Sequence, residues 1–279
     1  MGEYALINVP IASLHKEPTR NCSLEDEALY GMKVEVLSEV SKDWVAVRTH
    51  YRYEGLVCKS DLLRKDEMTA DWDAAEKMTV IGPYADVLTL PKVQGANVIS
   101  LTRGAVVRLL EPAGEGGWVK VGLADRREGY MKEKFLGEYR KASLDPSVWA
   151  RNEEEFRDQV CAAAMSYLGT QYRWGGKTTL GIDCSGLCSM AYLLNGVIVY
   201  RDAKIMEGFP LRQIPYENKK NGDLLFFPGH VAMYLGDGRY VHSTGKNGSD
   251  GVVINSLNPG DFDYREDLKN CLNAVGSIF

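Results

Sequence analysis

The sequence predicts an α+β chain in which two small all-β modules precede a larger mixed domain. Three observations predict it. The chain has 279 residues, too many for one small domain and enough for two or three. Its first half repeats a strand-rich pattern at a fixed offset. Its second half switches to two helix-like segments followed by a strand and a hairpin-like pair.

The repeat is read from two segments. Gly31-Met32-Lys33-Val34-Glu35-Val36-Leu37 leads to Trp44-Val45-Ala46-Val47 and then to Glu54-Gly55-Leu56-Val57-Cys58-Lys59. Gly104-Ala105-Val106-Val107-Arg108-Leu109-Leu110 leads to Trp118-Val119-Lys120-Val121 and then to Glu128-Gly129-Tyr130-Met131-Lys132-Glu133. Trp44 and Trp118, Glu54 and Glu128, and Val57 and Met131 are each 74 positions apart. Apolar and polar residues alternate with period two between Gly, Asp and Asn breaks, the mark of short half-buried strands. About five such strands in each copy suit a small closed barrel. The acidic stretch from Asp66 to Lys77 lacks alternation and reads as a linker with one helical turn. The polar run ending at Pro146 marks a second break. The expected domains are residues 1–66, a linker with the second module over 67–142, and a mixed domain over 143–279.

In that third domain Asn152 precedes Glu153-Glu154-Glu155, a favoured helix cap followed by acids that suit the positive end of the helix dipole. Phe156, Val160, Ala163, Ala164 and Tyr167 then recur at helical spacing, and Gly169 supplies a stop. Asp183-Cys184-Ser185-Gly186 opens a second apolar, helix-like run that ends at Asn195-Gly196. Asp223-Leu224-Leu225-Phe226-Phe227 reads as a buried strand. His230–Leu235 and Arg239–Ser243 flank Gly236-Asp237-Gly238 as a hairpin. A symmetric three-residue turn would put Leu235 opposite Arg239 and Ala232 opposite His242. His230 and His242 would then be diagonal neighbours on one face. A slip of one residue would separate them.

Those residue types point to nucleophilic catalysis. A thiol needs an imidazole to take its proton, and the imidazole needs a third group to hold it. Cys184, His230 and His242 supply the three. A helix start under Cys184 offers backbone N–H groups that lower a thiol pKa and receive an oxyanion. The plainer readings are a buried thiol at Cys184, packing histidines at His230 and His242, and a core ring at Tyr172. Cys161, Cys188 and Cys271 read as packing. Cys184, Cys188, His230 and His242 carry metal-type side chains, but Cys-x₃-Cys in a helix followed by His-x₁₁-His is not a zinc spacing. No metal or organic cofactor is expected.

Composition narrows the partners. A net charge of −5 gives no basic footprint for nucleic acid or an anionic membrane surface. No apolar run is long enough to span a bilayer. Met1-Gly2-Glu3-Tyr4-Ala5-Leu6 lacks the basic start and apolar core of a signal peptide, and Leu6 stands where a myristoylation motif needs Ser or Thr. The six cysteines show no pairing pattern. A cytoplasmic setting is expected if this N-terminus is the native one, and a secreted or wall-associated one otherwise.

Tyr172-Arg173-Trp174-Gly175-Gly176, Gly181-Ile182-Asp183-Cys184-Ser185-Gly186-Leu187, Arg201-Asp202-Ala203, Gly222–Phe227, His230-Val231-Ala232-Met233-Tyr234 and His242 occur in that order. Together they resemble the NlpC-type bacterial cell-wall cysteine peptidases, a papain-like family. The Gly31, Trp44 and Glu54-Gly55 pattern resembles bacterial SH3-like domains, twice over. Two such modules ahead of that domain are similar to the γ-D-glutamyl-L-diamino-acid endopeptidases. The resemblance implies cleavage of murein stem peptides after the γ-linked D-glutamate, releasing L-Ala-γ-D-Glu. It implies Cys184 as nucleophile, His230 as general base, His242 as orienting partner and Tyr172 as an oxyanion donor. From the recycling branch it implies Asp183 and Ser185, with Tyr53 and Glu27 of the first module, as partners of a free N-terminal L-alanine amine. Met206 stands where that pattern often has Gln, and only Pro228-Gly229 separates Phe227 from His230. Three alternatives stay open: a secreted hydrolase of intact peptidoglycan, a non-catalytic wall-binding protein, and the same fold used for acyl transfer or amide cleavage on other substrates.

Overall fold

The computed structural model describes residues 3–279; Met1 and Gly2, where the N-terminal reading begins, lie outside them. The chain divides into two units, residues 1–139 and 140–279.

The first unit holds two sheets of identical topology. The strands of the first are β1 (Glu3–Ile7), β2 (Ile11–His15), β3 (Leu24–Leu29), β4 (Lys33–Glu39), β5 (Trp44–Thr49), β6 (Glu54–Cys58) and β7 (Leu62–Leu63). Helix α1 (Asp66–Ala74) follows. The second sheet has β8 (Lys77–Val80), β9 (Tyr84–Leu88), β10 (Asn97–Thr102), β11 (Val106–Glu111), β12 (Trp118–Gly122), β13 (Glu128–Lys132) and β14 (Leu136–Glu138). Their orders are β3-β2-β6-β5-β4-β1-β7 and β10-β9-β13-β12-β11-β8-β14. Each strand of the second sheet thus repeats the strand seven earlier. The residues paired in sequence sit at matching places: Trp44 opposes Cys58 as Trp118 opposes Lys132. The expected closed barrel of about five strands is corrected to an open seven-stranded sheet in each copy.

The expected linker is also corrected. Asp66–Ala74 is a nine-residue helix, with Asp66 and Glu67 in its first turn where the dipole favours acids. It buries Trp72 to 3% exposure in a core with Leu6 of the first sheet, Val80 and Val107 of the second, and Tyr30 and Leu123, which follow β3 and β12. Gly31 lies at this junction with φ +76°, and a Cβ there would press on the Val106 carbonyl and the Trp72 ring. Val106 N–H donates to the Tyr30 carbonyl at 2.9 Å. Ala124 N–H donates to the Tyr30 hydroxyl at 2.8 Å.

The second unit begins with α2 (Glu153–Met165), capped as expected by Asn152, whose Oδ1 accepts from Glu155 N–H at 3.3 Å. The helix stops at Met165, and Gly169 follows a further turn with φ +79°. A two-stranded pair, β15 (Lys177–Thr178) and β16 (Gly181–Ile182), leads into α3 (Cys184–Leu194). The remaining strands are β17 (Arg212–Ile214), β18 (Leu224–Phe227), β19 (His230–Gly236), β20 (Arg239–Thr244), β21 (Gly251–Ser256) and, after α4 (Glu266–Cys271), β22 (Ala274–Ser277). They form one sheet in the order β17-β22-β18-β19-β20-β21. Helix α3 packs on β19 and β20, and α2 packs on α3. The all-apolar β18 is buried at every residue, as befits a central strand. Arg157 of α2 ties this layer together: it bonds Asp223 at 2.8 Å and Ser277 at 3.2 Å in the interior.

Candidate active site

The site is assembled on the start of α3 and the β19–β20 hairpin. Cys184 is the first residue of α3 and Asp183 is its cap. The Asp183 Oδ1 accepts from Gly186 N–H at 2.6 Å, leaving the N–H groups of Cys184 and Ser185 without partners in the helix ladder. Gly186 is required here, because a Cβ would collide with the Gly176 carbonyl oxygen. Cys184 is buried at 7% exposure. The backbone N–H groups of Val231 and Ser185 face its sulfur, so the residue following His230 lies on the thiol.

The hairpin brings the two histidines together by a route the sequence did not suggest. The turn is Asp237-Gly238, both with positive φ, the two-residue kind that matches strand twist. Gly236, not Leu235, opposes Arg239, and the register shifts between Tyr234 and Gly236. That bulge restores the outer register: Met233 opposes Val241, which sets Ala232 opposite His242. The expected Leu235–Arg239 pair is therefore corrected, while the Met233–Val241 pair keeps the register expected of the strands beyond the turn. His230 Nε2 lies 2.7 Å from His242 Nδ1. His242 Nε2 lies 2.9 Å from Asn255 Oδ1 on β21. Asn255 was not singled out from the sequence. No motif contains it, and only the pairing of β20 with β21, in which Tyr240 opposes Asn255, places it beside His242.

The electrostatics favour neutral groups. Burial, followed by the Asp183 charge, pushes the Cys184 thiol up to about 11. Burial, followed by Arg265, lowers His230 to about 4. Burial, followed by the His230 charge, lowers His242 to about 3. The expectation that the helix start would lower the thiol pKa is corrected. Desolvation outweighs the N–H groups of Val231 and Ser185, because a buried thiolate gives up its water.

Tyr172 is half-buried beside this centre. It bridges to Ile182, two residues before Cys184, and its N–H donates to the Asp250 carbonyl at 3.1 Å. Burial, followed by the Cys184 charge, raises its hydroxyl to about 12, so it remains an O–H donor. Asp183 and Ser185 are turned inward. Arg201, at 2% exposure, bonds Asp183 Oδ1 and Oδ2 at 3.0 Å each and the Ser185 hydroxyl at 2.7 Å. Gly175 N–H adds a bond to Asp183 Oδ2 at 2.8 Å, and Ser185 Oγ donates to Oδ1 at 3.2 Å. A carboxylate has about four lone-pair sites, and these donors fill them. The Asp183 carboxylate is the buried counter-ion of Arg201.

The two remaining candidates lie in the first unit. Glu27 stands on β3, opposite Ser13, at 2% exposure. Tyr53 closes the β5–β6 turn, its carbonyl accepting from Thr49 N–H at 2.8 Å. All six cysteines are free thiols, and among the described residues no cluster of three His, Cys, Asp or Glu side chains could hold a metal ion.

The chain is similar to known proteins over its whole length. Residues 169–265 match the NlpC/P60 family. A protein named dipeptidyl-peptidase 6 from Lysinibacillus sphaericus is 43% identical over 279 residues, covering 99% of each chain. The γ-D-glutamyl-L-lysine dipeptidyl-peptidase of Bacillus cereus is 25% identical over 239 residues, covering 79% of this chain and 67% of its own. A crystal structure of an NlpC/P60 family protein from Bacillus cereus has the same fold, with a TM-score of 0.76, 23% identity and 98% of each chain covered. With near-complete coverage of its relative from Lysinibacillus sphaericus, and a buried thiol at a helix start facing the strand of a paired histidine, this chain belongs to the NlpC/P60 family of cysteine peptidases.

Proposed function

We propose that this peptidase hydrolyses the γ-D-glutamyl–diamino acid bond of murein peptides that begin with a free L-alanine, releasing L-Ala-γ-D-Glu as a step in recycling wall peptides. The observation that carries it is the His230–His242 pair at 2.7 Å, with the N–H of Val231, the residue after His230, on the Cys184 sulfur. The name of one relative, a γ-D-glutamyl-L-lysine dipeptidyl-peptidase, supports this bond, and that of the other, a dipeptidyl-peptidase, supports release of a dipeptide. We read the two repeated sheets as SH3-like modules.

The mechanism follows from the neutral pair. Cys184 sulfur adds to the γ-glutamyl carbonyl as its proton passes to His230 Nδ1, the ring nitrogen not committed to His242. The oxyanion is received by the Cys184 backbone N–H and the Tyr172 hydroxyl. Collapse expels the diamino acid amine, which takes the proton from His230. Water then adds to the thioester, gives a proton to His230 and releases L-Ala-γ-D-Glu, and the thiol re-forms.

The test is mass spectrometry of L-Ala-γ-D-Glu-meso-diaminopimelate incubated with the protein, beside its N-acetylated twin and the lysine peptide. The expected product is L-Ala-γ-D-Glu from the free peptides alone, lost in Cys184→Ala. Equal cleavage of the acetylated peptide would remove the amine requirement. No cleavage of any of them would sink the reading.

A further inference from the structure

The backbone carbonyl of Asp263 can only accept hydrogen bonds. It takes one from Asn255 Nδ2 at 3.0 Å and one from Ser256 N–H at 3.3 Å. The amide of Asn255 is thereby oriented, and its Oδ1 is the end that faces His242 Nε2 at 2.9 Å. A carbonyl oxygen there requires a proton on His242 Nε2. A neutral imidazole carries one N–H, so His242 Nδ1 is a lone pair. That lone pair lies 2.7 Å from His230 Nε2 and takes its N–H. His230 Nδ1 is then left as a lone pair. Each assignment forces the next while both rings are neutral, and burial keeps them so. The loop that carries the carbonyl is itself fixed, since Arg239 binds Asp263 through bonds of 3.0 and 2.8 Å.

We infer that Asn255, oriented by the Asp263 carbonyl, is a positioning residue that sets the tautomer of His242 and through it presents His230 Nδ1 as the proton acceptor for Cys184. The inference rests on the roles proposed above for Cys184, His230 and His242. Without Asn255, His242 could carry its proton on Nδ1. His230 Nε2 would then have to accept, its own proton would move to Nδ1, and the base would face the thiol with its lone pair turned away. The same chain serves the charged intermediate. When His230 gains the thiol proton, its Nε2–H already points at a lone pair whose ring is held from behind.

The test reads the tautomers directly. Ring ¹⁵N spectra of the histidine-labelled protein near neutral pH are expected to show protons on Nε2 of both His230 and His242. Asn255→Leu, similar in size and unable to accept, is expected to mix the tautomers and lower kcat about 10-fold to 100-fold with little change in KM. That loss is smaller than the ~10⁴-fold seen when the group directly orienting a catalytic base is changed. Asn255→Asp keeps an acceptor toward His242 while losing the Asp263 bond. It is expected to retain the wild-type tautomer, recover most of the activity and move the acid limb of the kcat profile upward. That profile also feels Arg265, Asp267, Asp183 and the Tyr240 ring, which are unchanged in all three proteins. An Nδ1 proton on either ring of the wild type overturns the inference. So does an Asn255→Leu protein that loses activity with its tautomers intact. If Asn255→Leu fails to fold, the wild-type spectrum and Asn255→Asp decide. Cys184→Ala is expected to keep both tautomers; if that variant still cleaves the peptide, the proposed function falls and the tautomer assignment does not.

Discussion

Arg201 grips Asp183 through two parallel N–H···O bonds of 3.0 Å, one residue ahead of Cys184. Arg201 is 2% exposed, and Asp183 caps the helix that begins at the thiol. The pair therefore links folding to the placement of Cys184. Removing one partner of such a pair leaves a buried charge uncompensated, at a cost of about 3–5 kcal/mol. Arg201→Met is expected to lose that much in urea unfolding and to lower kcat as the cap loosens. Arg201→Lys should recover little, because an ammonium cannot make the forked contact. An Arg201→Met protein within about 1 kcal/mol of wild type would contradict this account.

The buried histidines make stability fall with acid in a definite window. The unfolded chain binds protons at an ordinary histidine pKa of about 6.5, whereas folded His230 resists to about 4 and His242 to about 3. Between these values the unfolded state holds more protons, so stability rises with pH there. The contribution is fully present above about 6.5 and is lost as pH falls toward 4. For His230 alone it approaches roughly 3 kcal/mol, since one pKa unit is about 1.4 kcal/mol. The His242 shift contains the charge of His230, so the two are not summed. Asp267, held below the usual carboxylate range by Arg265, releases its contribution at lower pH and does not mimic this window. Urea unfolding from about pH 7.5 to about pH 4.5 checks it. The slope should be shallower in His230→Asn.

The candidate catalytic residues were legible because their signals are local. Cys184 stands between a capping Asp and small residues at the head of an apolar run, and two histidines flank a Gly-Asp-Gly turn. The register that unites them was legible only in outcome. A two-residue turn with a bulge at Leu235 returns the same outer pairing as a symmetric three-residue turn. Asn255 and the Arg201 fork were not legible as roles, since each acts across strands or segments far apart in sequence. The acidic surface of α1 hid a helix whose burial rests on Trp72 and Thr69 alone. The thiol pKa was misjudged because sequence shows the helix start but not the depth of burial.

Trp72 tests whether α1 is part of the first unit's core. Its ring is buried between residues of both sheets. Trp72→Ala is expected to cost about 3–5 kcal/mol, the range for deleting a large buried aromatic side chain. Asp73→Asn is the control. It removes the 2.5 Å ion pair to Lys33, which is about a third to half exposed, and should cost less than about 1 kcal/mol. Thermal unfolding of the two proteins separates a core helix from a linker held by surface charge. Equal midpoints would favour the linker.

Tyr172 offers the sharpest separation of chemistry from packing. Its ring sits against Gly245, where a Cβ would be in ordinary contact at 3.4 Å, and Phe preserves that contact. Its hydroxyl stays protonated up to about 12, so it can donate at any pH where Cys184 and His230 form a neutral pair. If Tyr172 is the oxyanion donor proposed above, Tyr172→Phe deletes it and leaves the Cys184 N–H to act alone. Loss of a single such donor lowers kcat by about 10²- to 10³-fold where it bears on the developing charge. A fall in kcat of that order, with KM nearly constant, is expected from steady-state kinetics on the free tripeptide. A donor that acts only in the transition state cannot leave kcat untouched, so an unchanged kcat would reduce Tyr172 to the wall of the cleft.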